Sequence, residues 1–258
     1  MLKRGLKRSF LFFLSNCMDL YTSLSVRSFY RSFYSPGGYK PETLTQYLSR
    51  MAKVGEIEKK IINGKVVFAI TTKGEKLLDQ VIPLRKLEEK KWDGWWRIVI
   101  FDIEEKKKYL RDRVREKLLG LGFGKWQESV YISPHPMAEE MNEYFEEKDL
   151  YPSCVCLEAR ETGKKDNKLL AEQIFKLNEL TSNYKNIIKD IDLTTQLIKE
   201  NKFSKAEAIE KLHIYLEKYE LVLMRDPFLP EELWVEYPIR EKTKKYLTDL
   251  TQNVAKSI

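Results

Sequence analysis

Residues Trp95–Pro136 read WWRIVIFDIEEKKKYLRDRVREKLLGLGFGKWQESVYISPHP, and this stretch decides the fold class of the 258-residue chain. It opens on Trp95–Ile103, an apolar run rich in β-forming residues and bounded by charge, which predicts a strand. Lys106–Leu121 follows with Leu110, Val114, Leu118, Leu119 and Leu121 in an amphipathic helical pattern. Gly122-Phe123-Gly124 turns the chain. Trp126–Ile132, with Val130 and Ile132 alternating, predicts the next strand, and the short piece 122–128 leaves room for one more. Pro134 and Pro136 bracket a helix start that continues over Met137–Phe145. Val155–Ala159 reads as a last short strand. The predicted order is strand, helix, strand, strand, helix, strand.

On the N-terminal side, Leu6, Phe10, Phe13, Leu14, Cys17 and Leu20 recur at helical spacing, and a second helical stretch over 24–33 carries Leu24, Phe29, Tyr30 and Phe33. Ser35-Pro36-Gly37-Gly38 breaks the chain. Pro41 occupies the favoured first-turn position of a third helix, 41–54. There Leu44, Leu48, Met51 and Val54 are expected to face inward, and Gly55 supplies a left-handed cap. Ile57–Ile62 and Val66–Ile70 flank Asn63-Gly64, a strong hairpin-turn signal. Thr72 is the expected cap of a further helix containing Leu77, Leu78 and Val81, closed by Pro83. Three helices, a hairpin and a helix make the plan of a winged helix-turn-helix.

On the C-terminal side, residues 165–200 carry a helical pattern that Asp190–Thr194 interrupts, so two helices are expected there. Lys205–Met224 and 240–256 predict further helices. Asp226-Pro227-Phe228-Leu229-Pro230 is a turn, and Glu231-Glu232 start a short helical turn ahead of Trp234. The fold class is therefore α+β, in three parts: an N-terminal winged helix-turn-helix (1–85), a central ferredoxin-like βαββαβ domain (92–162) and a C-terminal helical domain (165–258).

Composition narrows the function classes. With 43% hydrophobic and 33% charged residues the chain can bury a core and is not a disordered polymer. Three cysteines (Cys17, Cys154, Cys156) make no disulfide framework and point to a reducing, cytoplasmic setting. Two histidines, His135 and His213, lie far apart in the sequence, so a standard zinc site is not expected. No Gly-rich phosphate loop and no Ser/His/Asp or Cys/His constellation is present. No apolar run approaches the roughly 18 residues of a membrane span. Lys3, Arg4, Lys7 and Arg8 precede the apolar Phe10–Leu14, which falls short of the roughly 7–15 residues of a secretory core, so the segment reads as a basic amphipathic helix.

The formal charge of +7 is unevenly placed. Residues 1–90 hold 17 Lys and Arg against 8 Asp and Glu, while the remainder holds 29 against 31. Such asymmetry is the footprint of a polyanion-binding module joined to a near-neutral partner. Duplex DNA fits the pattern. The helix at 41–54 directs Thr43, Thr45, Gln46, Ser49, Arg50 and Lys53 outward, and these side-chain types reach base edges in a major groove. Lys40 precedes that helix. Lys59, Lys60, Asn63 and Lys65 sit on or near the hairpin tip, where lysines suit phosphates. A winged helix used for protein contacts would leave the same residues merely solvated.

The Trp95–Pro136 stretch resembles the central domain of the PaaX-type transcriptional repressors, and RDPFLPEELW (225–234) is similar to their C-terminal motif. The resemblance implies a dimeric DNA-binding regulator released from DNA by a coenzyme A thioester effector. The rewritten segment WVEYPIREK and the weak likeness of the helix at 41–54 to the family's reader helix leave effector and operator open. The same central block resembles the ferredoxin-fold nucleases of CRISPR spacer acquisition. In those, an Asp ends the first strand, here Asp102 in Phe101-Asp102-Ile103, and QESVY (127–131) matches the next strand. That resemblance implies a site at a homodimer axis where two such carboxylates hold Mg²⁺ and activate water. The alternative for Asp102 is the cap of the following helix. The expected partners are double-stranded DNA, a second copy of the chain and a small-molecule effector. A Mg²⁺-dependent endonuclease and a non-catalytic nucleoprotein adaptor are the competing readings.

Overall fold

The computed structural model describes residues 41–62, 65–81, 84, 87, 90–160 and 166–256. The helices expected at 6–20 and 24–33, together with Lys40, Asn63 and Gly64, lie outside the described residues. The chain is α+β with two separate sheets. It divides into two compact units. Of the described residues, one takes in those within 41–81, 181–225 and 238–256, the other those within 84–180 and 226–237.

In the first unit, α1 (Pro41–Lys53) is followed by a two-stranded antiparallel sheet of β1 (Ile57–Ile62) and β2 (Lys65–Ile70), then by α2 (Thr72–Val81). The register pairs Ile57 with Ile70 and Ile62 with Lys65. Leu48 and Met51 of α1, Ile57 and Ile70 of the sheet and Leu78 of α2 are buried. Gly55 ends α1 with φ +74, and its amide donates to the carbonyl of Ala52. Only glycine takes that backbone conformation without strain.

Thr71, and not the expected Thr72, caps α2. Its Oγ1 accepts from the Gly74 amide at 3.2 Å and donates to the Gly55 carbonyl at 2.6 Å. Its own amide donates to the Glu56 carbonyl at 3.2 Å. Two adjacent threonines cannot be told apart by capping preference alone; the one that also reaches Gly55 is selected by the chain that returns beside it. Gly74 allows this closeness, because a Cβ there would stand 2.1 Å from the Glu56 carbonyl oxygen. Thr71 thus fixes where α1 ends relative to where α2 begins.

The remaining helices of this unit are the greater part of α6, α7 (Lys205–Leu223) and α8 (Ile239–Lys256). α6 spans Leu177–Lys199 without a break. The interruption expected at Asp190–Thr194 is instead at Lys176, in the left-handed conformation with φ 51, which separates α6 from α5 (Asn167–Phe175). Asp190 and Thr194 stay helical because α7 satisfies them. Lys218 donates to Asp190 Oδ2 at 2.7 Å, and Thr194 Oγ1 shares a buried hydrogen bond of 2.7 Å with the Tyr215 hydroxyl. Ser204 caps α7 in a reciprocal pair with Glu207.

The second unit carries a four-stranded antiparallel sheet: β3 (Trp96–Phe101), β4 (Gly124–Gln127), β5 (Val130–Ser133) and β6 (Cys154–Ala159), in the order β4-β5-β3-β6. The strand expected over 126–132 and the further one expected within 122–128 form a hairpin whose boundary falls inside the former; β4 and β5 turn about Glu128-Ser129, with an irregular register between Lys125 and Gln127. α3 (Lys108–Gly120) joins β3 to β4, and β5 fills the position between those strands. α4 (Ala138–Glu147) joins β5 to β6 and packs on β6. Val99, Phe101, Val114, Leu118, Tyr131, Met141 and Phe145 form the core, with Phe101 and Tyr131 stacked at 5.9 Å between ring centroids. Gly124 lets α5 close on β4, since a Cβ would meet Ile174 at 2.3 Å. Among the described residues no helix is long and apolar enough to cross a membrane.

Thr71→Val keeps the side-chain volume and deletes both hydroxyl bonds. It is expected to destabilise the first unit by about 1–2 kcal/mol, read as a lowered urea midpoint at unchanged slope.

Candidate nucleic-acid interface

Gln46, Ser49, Arg50 and Lys53 are all exposed on α1, and their spacing (i, i+3, i+4, i+7) places them on one face. Leu48 and Met51, at 1% and 2% exposure, take the opposite side. Thr43 and Thr45 lie on the same helix, but their side chains are outside what is described. The face is polar and cationic, with no carboxylate among those four positions. It is anchored from beneath by the buried pair and at its end by Lys73, whose Nζ donates to the Val54 carbonyl at 2.8 Å.

The hairpin distributes its lysines differently. Lys59 and Lys60 are both exposed, and adjacent residues of a strand point to opposite faces. Lys60 forms an ion pair with Glu58, its neighbour two residues back on the same face. Lys59 shares its face with Ile57, buried, and Ile61, 73% exposed. Lys65 begins β2, with its side chain outside what is described.

Asp102 follows β3 immediately. Its amide donates to the Ser153 carbonyl at 2.8 Å, and its side chain is exposed. It does not cap the next helix. The chain first makes a short 3₁₀ turn, Glu105–Lys107, and neither that turn nor α3 has a side-chain cap bond. A divalent ion would need several oxygen ligands, and no cluster of three acidic, His or Cys side chains able to hold a metal occurs among the described residues. Cys154 and Cys156 are free, and burial pushes both thiols up to about 11, which disfavours the thiolate.

Two residues unremarked in sequence organise the second unit. Arg97 is buried on β3, its side chain 6% exposed. Its guanidinium donates to both oxygens of Asp93 at 2.9 and 2.6 Å and to Glu158 at 2.9 Å. Burial works to raise the Asp93 pKa, but the hydrogen bonds and charge of Arg97, with the Trp95 amide, hold it below the ordinary value. His135 is 1% exposed. Its Nε2 donates to the Pro227 carbonyl at 2.8 Å, and its amide donates to Ser133 Oγ. Burial depresses its pKa; the Pro227 bond and Asp226 oppose the shift, while the charge of Arg97 adds to it. Since a carbonyl can only accept, Nε2 carries a proton, and burial favours the neutral imidazole. The signal available in sequence was the position of His135 between two prolines, which marks a turn but not its distant partner.

Residues 226–230 are buried throughout. Asp226 accepts from the Phe228 amide at 2.7 Å, Phe228 takes φ 51, and Leu233 and Trp234 follow in the core. Glu232 accepts from the Trp92 amide at 3.3 Å, and the turn Glu231–Leu233 packs on α5. The two stretches singled out in sequence, 95–136 and 225–234, are thus joined through His135 and Pro227.

A family model of the PaaX protein central Cas2-like domain matches residues 89–171, and one of the PaaX-like protein C-terminal domain matches residues 175–257. The chain belongs to the PaaX family. The transcriptional repressor PaaX of Escherichia coli K12 is 22% identical over 224 residues, which cover 84% of this chain and 70% of that protein. A solved structure, the uncharacterized protein Rv0674 from Mycobacterium tuberculosis, shares the fold at a TM-score of 0.51 and 19% identity, covering 85% of this chain and 83% of its own. In PaaX terms, the His135–Pro227 bond ties the central domain to the start of the C-terminal motif within one compact unit.

Two outcomes follow from this geometry. Between its depressed folded pKa and the unfolded value near 6.5, His135 binds a proton only in the unfolded chain. Stability is complete above about pH 6.5 and falls as the pH drops below it; thermal melts across that range should show the fall, and His135→Asn should flatten it. Arg97→Lys cannot reproduce the two-pronged grip on Asp93. A loss of about 1–3 kcal/mol is expected, at the low end of broken buried pairs because both carboxylates are half exposed.

Proposed function

We propose that this PaaX-family chain is a DNA-binding transcriptional regulator, acting as a repressor and as a homodimer. The observation that carries the reading is the α1 surface: Gln46, Ser49, Arg50 and Lys53 on one exposed face, Leu48 and Met51 behind it, and a basic hairpin directly after. A helix of this kind enters a major groove, where Arg and Gln make two-pronged contacts to guanine and adenine edges. The order α1, hairpin, α2 supports a winged helix-turn-helix over residues 1–85, with Lys40, Thr43, Thr45, Asn63 and Lys65 completing the contact set. Lys59 faces phosphates as a free cation in this reading, and Lys60 does so in exchange for Glu58.

The strand order β4-β5-β3-β6 supports a ferredoxin-like central domain over 92–162. Its role in this reading is to pair two copies, so that two reading heads address half-sites about one helical turn apart. A small-molecule effector, a coenzyme A thioester by family resemblance, would act by changing the separation of the heads. The reading places the protein in the cytoplasm. Asp102 has no part in it: a nuclease centre needs that carboxylate from each of two copies, and Asp102→Ala separates the alternatives by abolishing Mg²⁺-dependent cleavage in a nuclease and changing nothing in a regulator.

Genomic footprinting with the full chain at physiological salt tests the proposal. One or a few sharp sites are expected; uniform coverage would favour an adaptor and overturn it. At such a site Arg50→Ala is expected to remove about 1–3 kcal/mol of base discrimination, seen as a roughly tenfold to hundredfold smaller ratio of specific to scrambled binding.

A further inference from the structure

The residues after position 90 carry almost no net charge, yet one helix among them is strongly basic. Between 106 and 117 stand Lys106, Lys107, Lys108, Arg111, Arg113, Arg115 and Lys117 against Asp112 and Glu116. These cations divide into two groups. Arg115 is occupied, facing Asp112 at 3.6 Å and Glu128 at 3.4 Å, and Arg111 lies in the field of the same Glu128. Lys106, Lys107, Lys108 and Arg113 are exposed and form no ion pair among the described residues.

The second group continues into an aromatic surface. Tyr109 is 70% exposed. Arg113 lies over its ring at 5.2 Å and donates from Nε to its hydroxyl at 2.9 Å. Lys117 lies over the ring of Tyr144 at 5.7 Å. Tyr109, Arg113 and Lys117 follow at intervals of four, about 6 Å apart along the axis. A stacked guanidinium is held in place before any ligand arrives, so little rotamer freedom is lost when it binds. Three nearby carboxylates are engaged elsewhere: Asp112 by Arg115, Glu128 by Lys125 and Arg115, and Glu147 by Lys148. Asp102, Glu104, Glu105 and Glu116 remain exposed, and against them Lys106, Lys107, Lys108, Arg113 and Lys117 leave an excess of one cation.

We propose that this strip of the 3₁₀ turn and the start of α3, Lys106–Lys108 with Tyr109 and Arg113, is a second DNA contact that grips the phosphate backbone without reading bases. The proposal rests on the regulator reading and extends it from the α1 head to the sheet-bearing unit. Lysine, arginine and tyrosine hydroxyl groups are the donors that such contacts use. The strip offers none of the Asn or Gln side chains that pair with adenine edges. It therefore adds affinity and salt dependence and no sequence preference.

The test is the salt dependence of binding by the full chain to a random-sequence DNA duplex, followed by fluorescence anisotropy. Each neutralised phosphate contributes about 0.9 to the slope of log affinity against log salt. Replacing Lys106, Lys107, Lys108 and Arg113 together by Gln is expected to flatten that slope by roughly 3–4 and to weaken binding at least about tenfold near 100 mM salt. The ratio of specific to scrambled binding at a footprinted site should stay unchanged. A matched variant with Gln at the exposed Lys189, Lys199, Lys242 and Lys245 controls for net charge and should keep the parental slope. An unchanged slope in the first variant, or an equal loss in the second, overturns the strip while leaving the α1 reading intact. Absence of any duplex binding by the parent chain overturns both.

Discussion

A buried, neutral imidazole bonded to a carbonyl far along the chain is the constraint on which the sheet-bearing unit depends. His135 stands at the end of β5 and Pro227 ninety-two residues later, and the bond of 2.8 Å between them brings the Asp226–Pro230 turn into the core. Proline has no amide hydrogen, so Pro227 can take part in such a bond only through its carbonyl. The donor here is a side chain, the His135 imidazole through Nε2. Arg97 works beside it: its charge opposes protonation of the imidazole, and Asp93 and Glu158 compensate that charge where they are half exposed and cost less to hold.

The other unit uses uncharged groups for the same purpose. One threonine hydroxyl, at Thr71, joins the end of α1 to the start of α2, and Gly74 provides the space for it. The consequence for function is positional. The exposed face of α1 can be polar and cationic at all of Gln46, Ser49, Arg50 and Lys53 because Leu48, Met51 and the Thr71 junction, not that face, hold the helix.

Much of this was legible along the chain. The amphipathic period of α1, the Asn-Gly hairpin signal, the glycine cap at 55 and the alternation of helix and strand from 96 to 159 are local patterns that survive folding. The failures were local too. Asp190–Thr194 looked like a helix break because polar β-branched and acidic residues are poor helix formers in isolation, and α7 supplies partners that no local rule contains. The true break, at Lys176, depends on a left-handed residue that the sequence does not mark with glycine. The boundary between β4 and β5 was misplaced because the strands are four residues each, too short for a period to register. Asp102 met the preference for a capping carboxylate but stands three residues ahead of a 3₁₀ turn, out of reach of the helix it was expected to cap.

The sequence by itself determined the α+β class, the polar face of α1, the basic character of the first ninety residues and the likeness to the PaaX family, because periodicity, composition and motif all act over short distances. Tertiary structure alone decided which charges are spent and which are available, and which distant segments share a core. Among the described residues Lys60 and Arg115 form ion pairs while Lys106–Lys108 and Arg113 form none, and residues 226–237 belong to the unit of the 96–159 sheet. The reason is physical: ion pairing and burial depend on separations of a few ångströms between residues that may be a hundred positions apart, and no pattern along the chain records those distances.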